Sequence, residues 1–295
     1  MADTSPLSAR AGDRGDGRLV VVATPIGNLG DLSERAAVAL RTADLVAAED
    51  TRRTGRLLAH VGATTPQISY HEHNEESRLP ALLERIAAGG TVALVSDAGT
   101  PAVSDPGYRL VRACLDAGLC VEAVPGPSAL LNALVVAGLP TDRFVFEGFL
   151  PRRGGRRRVR LEELAQEPRT AVLYVAPHRA AGDLADLASA LGDDRPAALC
   201  RELTKLHEEV WRGTLGELAE RAAQGSVRGE VTLVVGGAPA RRRAVPTPDE
   251  LAGAVASMVG AGVSKRTAIA QVAADAGVPR RDVYQAVVDE GGSSR

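Results

Sequence analysis

Leu19-Val20-Val21-Val22-Ala23, followed at once by Thr24-Pro25-Ile26-Gly27-Asn28, is the stretch on which the fold class turns. A short unbroken run rich in β-branched residues reads as a strand buried on both faces of a parallel sheet. The proline and glycine that follow end it in a tight turn. A helical pattern over 33–42 comes next, with Ser33 placed to cap it. The strand signature returns at 45–48, 91–96 and 121–124, with helical stretches at 77–88 and 107–117 between them. Alternation at this spacing predicts βαβ units and a doubly wound α/β sheet.

Beyond residue 143 the character changes. The segment 144–149 leads into 151–160, where Arg152, Arg153, Arg156, Arg157, Arg158 and Arg160 crowd around Gly154-Gly155. This run reads as a domain junction. A second α/β unit follows, with strands at 171–175, 197–201 and 230–235 and helices at 180–191 and 215–223. Arg241-Arg242-Arg243 opens a further linker, closed by Pro246 and Pro248. The segment 249–290 reads as three short helices. Ser264 caps 265–276, Gly277 stops that helix and Pro279 opens the next, the pattern of a helix-turn-helix appendage. Residues 1–17 are small, polar and aperiodic, a disordered leader. The predicted organisation is therefore 1–17 leader, 18–142 N-terminal α/β domain, 143–240 C-terminal α/β domain and 249–290 helical appendage.

Composition sets outer limits. The chain has 295 residues, 45% of them hydrophobic, which suits two domains each with its own core. The longest mostly apolar run, 129–139, is about half a membrane span, and the start of the chain carries no hydrophobic signal segment, so a soluble, cytoplasmic protein is expected. Three cysteines without a CxxC pair argue against a disulfide framework or a zinc site, and no metal is expected. Net charge is −2, so any nucleic-acid contact must come from local basic patches. Of the 35 basic residues only Lys205 and Lys265 are lysine. Such a bias fits GC-rich coding, and it draws attention to the lysines that survive, since only lysine can lose its proton near neutral pH.

Ligands of doubly wound sheets bind beyond the carboxyl ends of the strands, and three loops of small residues belong there: 24–28, 96–107 (Ser-Asp-Ala-Gly-Thr-Pro-Ala-Val-Ser-Asp-Pro-Gly) and 125–129 (Pro-Gly-Pro-Ser-Ala). Glycines let backbone approach a ligand, and prolines fix a loop before binding. No GxxxxGK[ST] or GxGxxG is present, and Asp97 and Asp105 would repel phosphate. Carboxylates, hydroxyls and carbonyls suit a ligand with amino, ribose and cationic groups, of which S-adenosylmethionine is one.

The motifs ATPIGNLGDLSERA (23–36), AEDTRRTGRLL (48–58), SYHEHNE (69–75), VSDAGTPAVSDPG (95–107), VPGPSAL (124–130), FLPRRGG (149–155) and RELTKLHEEVWRGTL (201–215), in this order, closely resemble the ribosomal RNA small subunit methyltransferase I family of the tetrapyrrole methylase superfamily. The resemblance spans about 19–240, and 249–290 is similar to that family's small helical domain. It implies a two-domain tetrapyrrole-methylase-like fold and a homodimer. It also implies S-adenosylmethionine-dependent methylation of a cytidine ribose 2′-hydroxyl in the decoding region of 16S rRNA, within the 30S subunit. The implied cofactor contacts are Pro25, Gly99, Thr100, Val103, Ser128, Ala129, Tyr174, Arg201 and Thr232. Other superfamily members carry Gly-Asp-Pro where this chain has Gly99-Thr100-Pro101, a difference that suits a different substrate class.

Around that core lie the substrate candidates. Arg52 and Arg53 are placed to meet RNA phosphate while Glu49 or Asp50 orients the ribose; a solvated helix N-terminus accounts for the same residues. In 70–75, Tyr70 or His71 could stack on a base, with His71 and Asn74 facing RNA, or the segment is a surface loop. Arg152, Arg153, Arg156 and Arg157 fit phosphate tracking, or a solvated linker. Lys205 and Glu49 are the candidate catalytic groups, Lys205 as a base or as a cation favouring the ribose oxyanion, with Glu202 or Glu208 as its partner. Two competitors remain. A tetrapyrrole methylase would act on carbon of a small macrocycle, and a non-enzymatic RNA-binding module would bind no cofactor.

Overall fold

The computed structural model describes residues 17–239 and 246–292. Most of the predicted leader and the Arg241–Arg243 linker lie outside the described residues. The first sheet is made of β1 (Arg18–Val22), β2 (Leu45–Ala48), β3 (Gln67–Ser69), β4 (Thr91–Val95) and β5 (Cys120–Val124). All pairings are parallel, in the order β3-β2-β4-β1-β5. Its central strands β1, β2 and β4 are apolar on both faces because both are covered. Val20, Val22, Ala93 and Val95 pack under α1 (Glu34–Thr42) and α2 (Thr51–His60), while Leu19, Val92 and Leu94 pack under α3 (Glu75–Ala87) and α4 (Tyr108–Asp116). Ser33 caps α1 by accepting the Ala36 N–H at 3.1 Å, as its position predicts.

The next helix, α5 (Ala129–Ala137), follows β5 in the chain but packs on the second sheet. That sheet contains β6 (Phe144–Phe149), β7 (Thr170–Val175), β8 (Pro196–Arg201), β9 (Glu209–Thr214) and β10 (Val231–Val235), in the order β6-β7-β10-β8-β9. Only β6 and β7 are parallel; the remaining pairs are antiparallel. One face is covered by α6 (Gly155–Gln166), α7 (Ala180–Leu191) and α8 (Leu215–Gln224). The other receives α5 together with Ile26 from the loop after β1. The apolar face of α5, Ala133, Leu134 and Ala137, thus belongs to the same core as Val172, Ala198 and Val234. Both sheets lie in one compact unit that ends at Ala238.

Residues from Pro239 onward form a second unit. In it, α9 (Pro248–Gly260), α10 (Lys265–Ala276) and α11 (Arg280–Gly292) enclose a small core that includes Leu251, Val255, Val272 and Val283. Thr247 and Glu250 make a reciprocal capping box, Ser264 caps α10, and Gly277 ends it in the left-handed conformation at φ 67°.

One expectation is corrected here. The arginine run is not a linker: from Arg156 onward it forms α6, opened by Gly154 at φ 82°. Arg157 points inward, 9% exposed, and its guanidinium meets Asp183 and Asp186 at 2.8 Å and the Pro151 carbonyl at 2.9 Å. It therefore has no free donor face for RNA phosphate.

Candidate functional site

The carboxyl ends of the first-sheet strands face the second sheet across a cavity of about 470 Å³, within the size range of cofactor sites. The loop after β1 and the loop after β4 are stitched together there. Thr24 and Gly99 exchange backbone hydrogen bonds (2.8 and 3.0 Å), and Thr24 Oγ1 donates to the Ser96 carbonyl at 3.2 Å. Gly99 takes φ 78°, which a side chain would resist, and its amide plane forms part of the wall. Ala102 and Ser104 are held at φ 68° and 61° without being glycine, local strain of the kind that collects at ligand sites.

Seven residues singled out as cofactor contacts line the cavity: Gly99, Thr100, Val103, Ser128, Ala129, Tyr174 and Thr232. Ser128 also caps α5 by accepting the Leu131 N–H at 3.5 Å, and with Ala129 it lines the same space. Pro25 and Arg201 are not on the wall. Ile26 takes Pro25's place, and Arg201 turns to Glu209 (3.1 Å) and the Arg228 carbonyl (3.4 Å). The sequence reading missed Phe149 and Glu230. Phe149 leans on Tyr174 at a ring-centroid distance of 5.6 Å, giving the second-sheet side an aromatic wall.

The opposite wall is acidic, formed by Glu49, Asp97 and Asp105. Glu49 accepts the Asp97 N–H (3.1 Å), Asp97 accepts the Asp50 N–H (3.1 Å), and Arg53 reaches Asp97 at 3.4 Å. Burial pushes the Asp97 carboxyl above its ordinary value. Asp105 rises to about 6, through burial first and the nearby Glu49 carboxylate second. Burial likewise raises the Tyr174 hydroxyl, with the Asp105 charge adding to it. A wall of carboxylates facing aromatic rings favours a ligand that is cationic at one end and planar at the other. Among the described residues no cluster has the composition of a metal site.

The remaining candidates sit as follows. Arg53 lines the cavity, whereas Arg52 is exposed and grips Asp50 bidentately (3.1 and 2.7 Å), holding that carboxyl well below the usual range. Asn74 is spent locally: its carbonyl oxygen takes the His71 N–H at 2.8 Å and its amide reaches Ser69. Tyr70 is fully buried in the first core and cannot stack on a base, so of that pair only the half-buried His71 remains. Arg152, Arg153 and Arg156 are exposed, and none is engaged by a carboxylate among the described residues.

Lys205 is not on the wall. Its stem lies over Gly27, and its ammonium meets Glu202 (2.8 Å) and Glu230 (3.1 Å). Burial would lower its affinity for the proton, but the two carboxylates outweigh that and raise it. Lys205 therefore keeps its proton and is not the base its position in the sequence suggested. What it does is tie three loops: Gly27 after β1, Glu202 after β8 and Glu230 before β10.

Comparison with known proteins places this architecture. The family model for Tetrapyrrole (Corrin/Porphyrin) Methylases matches residues 18–219. A ribosomal RNA small subunit methyltransferase I of Synechocystis sp. is 49% identical over 269 residues, 91% of this chain and 96% of that protein. The protein of the same name from Mycobacterium tuberculosis is 50% identical over 277 residues, 92% and 95% of the two chains. Among solved structures, a uroporphyrin-III C-methyltransferase of Thermus thermophilus, in complex with S-adenosyl homocysteine, matches with TM-score 0.52. It is 26% identical, and the match covers 75% of this chain and 97% of that one. With two sheets joined across a cleft, and half of its residues shared with these relatives along nearly their whole length, the chain belongs to the tetrapyrrole methylase family and, within it, to the ribosomal RNA small subunit methyltransferase I group.

Proposed function

We propose that this protein transfers a methyl group to the ribose 2′-oxygen of a cytidine in the decoding region of 16S rRNA, within the 30S subunit, acting as a homodimer in the bacterial cytoplasm. At the coarser level it is an S-adenosylmethionine-dependent methyltransferase of small-subunit ribosomal RNA. The observation that carries the reading is the cleft itself: acidic on one side, aromatic on the other and walled by the Gly99–Val103 loop, in a chain half identical to named rRNA methyltransferases.

The residues present suit S-adenosylmethionine. Asp97 offers negative charge to an ammonium or sulfonium, and Phe149 and Tyr174 offer flat surface to a purine. When bound, the cofactor supplies a methyl group activated by the positive sulfur. The protein's task is then to hold an alcohol in line with that methyl, exclude water and accept a proton, and positioning alone can account for much of the rate. On the RNA side, Arg152, Arg153 and Arg156 offer exposed guanidinium groups for phosphate. Gly99-Thr100-Pro101 in place of Gly-Asp-Pro is consistent with a substrate other than a tetrapyrrole.

The test is methyl transfer from labelled S-adenosylmethionine to 30S subunits, to naked 16S rRNA and to a tetrapyrrole precursor, with the ribosomal material from cells lacking this gene. Label in the RNA supports the reading. Label on the macrocycle alone means the right fold with the wrong substrate.

A further inference from the structure

A methyl transfer to an alcohol leaves one question open in the cleft, namely which group takes the hydroxyl proton. Five titratable side chains that can accept one line the cavity: Glu49, Asp97, Asp105, Tyr174 and Glu230. Four are occupied or unsuited. Glu49 accepts the Asp97 N–H, Asp97 accepts the Asp50 N–H and faces Arg53, and Glu230 is paired with Lys205. Tyr174 is held protonated by burial and meets the Leu130 backbone. Asp105 alone among these carboxylates has neither a cation nor a backbone N–H as partner among the described residues.

We propose that Asp105 is the catalytic base, receiving the proton of the attacking ribose hydroxyl. The inference rests on the functional reading above and assigns a residue within it. In the step, the hydroxyl oxygen forms the O–CH3 bond as the S–CH3 bond breaks, and sulfur keeps the electron pair. The proton passes to an Asp105 carboxylate oxygen and then to solvent. Asp105 is placed for this because it lines the cavity and because burial first, then Glu49 and Asp97 from the loops after β2 and β4, make it a better proton acceptor than an ordinary carboxylate. Tyr174 on β7 also faces it, and Arg53 on α2, which lines the same cavity, is directed to Asp97. At neutral pH the group is ionised and close to its own transition, as a base should be.

The experiment compares the full-length chain with Asp105→Asn and Asp105→Glu. Calorimetry gives the affinity for S-adenosylmethionine and S-adenosylhomocysteine, and single turnover gives the rate of transfer to 30S subunits between pH 5 and 9. The expected result for Asp105→Asn is cofactor affinity within about threefold of the original with a rate lower by about 10²–10⁴-fold. The unsubstituted chain should show a rate rising with pH to a plateau above about 6, absent in the Asn variant, and Asp105→Glu should regain part of the rate. Two results overturn the proposal. One is a rate retained within about threefold; the other is a fall in S-adenosylmethionine affinity that accounts for the lost rate, which would make Asp105 a cofactor-holding residue. If the unsubstituted chain binds cofactor but methylates no RNA, the functional reading itself fails and the base assignment falls with it, an outcome distinct from loss in the variant alone.

Discussion

Asp105 and Arg157 show how differently the fold treats two buried charges. Asp105 lines the cavity without a counter-ion among the described residues, so the folded state favours its protonated form: its carboxyl titrates near 6 against an ordinary value of 3.8. Burying the charge costs stability above pH 6, and the cost disappears below about 4, where folded and unfolded chains are both protonated. Asp105→Asn should therefore melt a few degrees higher than the original at pH 7–8, corresponding to roughly 1–2 kcal/mol, and at the same temperature near pH 4. Scanning calorimetry at the two pH values checks this, and equal melting at both would contradict it. Arg157 is the reverse case, a buried cation satisfied by Asp183, Asp186 and a carbonyl. Arg157→Ala leaves the buried Asp183 with Arg179 alone (3.0 Å) and should cost about 1–3 kcal/mol, read as a lower denaturation midpoint, whereas Arg153→Ala on the exposed side should change stability by less than about 0.5 kcal/mol. The sequence could not separate these arginines, because a guanidinium that meets carboxylates 26 and 29 residues away looks the same as one in water.

At the scale of elements, the central strands were legible because burial on both faces leaves an unbroken apolar run: β1, β2, β4 and β10 announce themselves. The edges did not. β3 is three residues long, and β9 reads Glu-Val-Trp-Arg-Gly-Thr, with one side left to solvent and no apolar run to mark it. α6 was hidden by charge, since only Val159, Leu161 and Leu164 interrupt its polar residues and the helix is held by Arg157 as much as by apolar packing. The site divides along the same line. The Gly99–Val103 and Ser128–Ala129 loops directly follow recognisable strands, so their position was readable. Phe149 and Glu230 come from β6 and the approach to β10, which only the tertiary fold brings to the cleft. The loops around Lys205 can be loosened without removing a residue of the cleft wall. Lys205→Met keeps a stem over Gly27 but frees Glu202 and Glu230; cofactor affinity should weaken several-fold while the single-turnover rate at saturation falls less, and the reverse pattern would restore Lys205 to the chemistry. Replacing Arg152, Arg153 and Arg156 together with alanine should lower the slope of log affinity for RNA against log salt by about 2, at about 0.7–0.9 for each phosphate no longer neutralised, with melting temperature little changed. An unaltered slope would place the RNA elsewhere.

For the whole molecule, charge and architecture point in one direction. A net charge of −2 gives no long-range attraction to RNA, so in the proposed reading recognition is local, from exposed arginines such as Arg152, Arg153 and Arg156, while the interior of the cleft keeps its negative wall for a cationic cofactor. The fold class was readable from strand and helix alternation. The mixed character of the second sheet was not, because antiparallel β10 between β7 and β8 is a matter of chain return that no local pattern records. The claim at the centre of this account is the identity of the methylated atom. The measurement that tests it most directly is mass spectrometry of nuclease-digested 16S rRNA from 30S subunits, isolated from cells lacking this gene and incubated with the purified protein and deuterated-methyl S-adenosylmethionine. The account predicts one added labelled methyl on the ribose of a cytidine in the decoding region, absent without the protein. A label on a base carbon or nitrogen, or at a ribose outside that region, would contradict it.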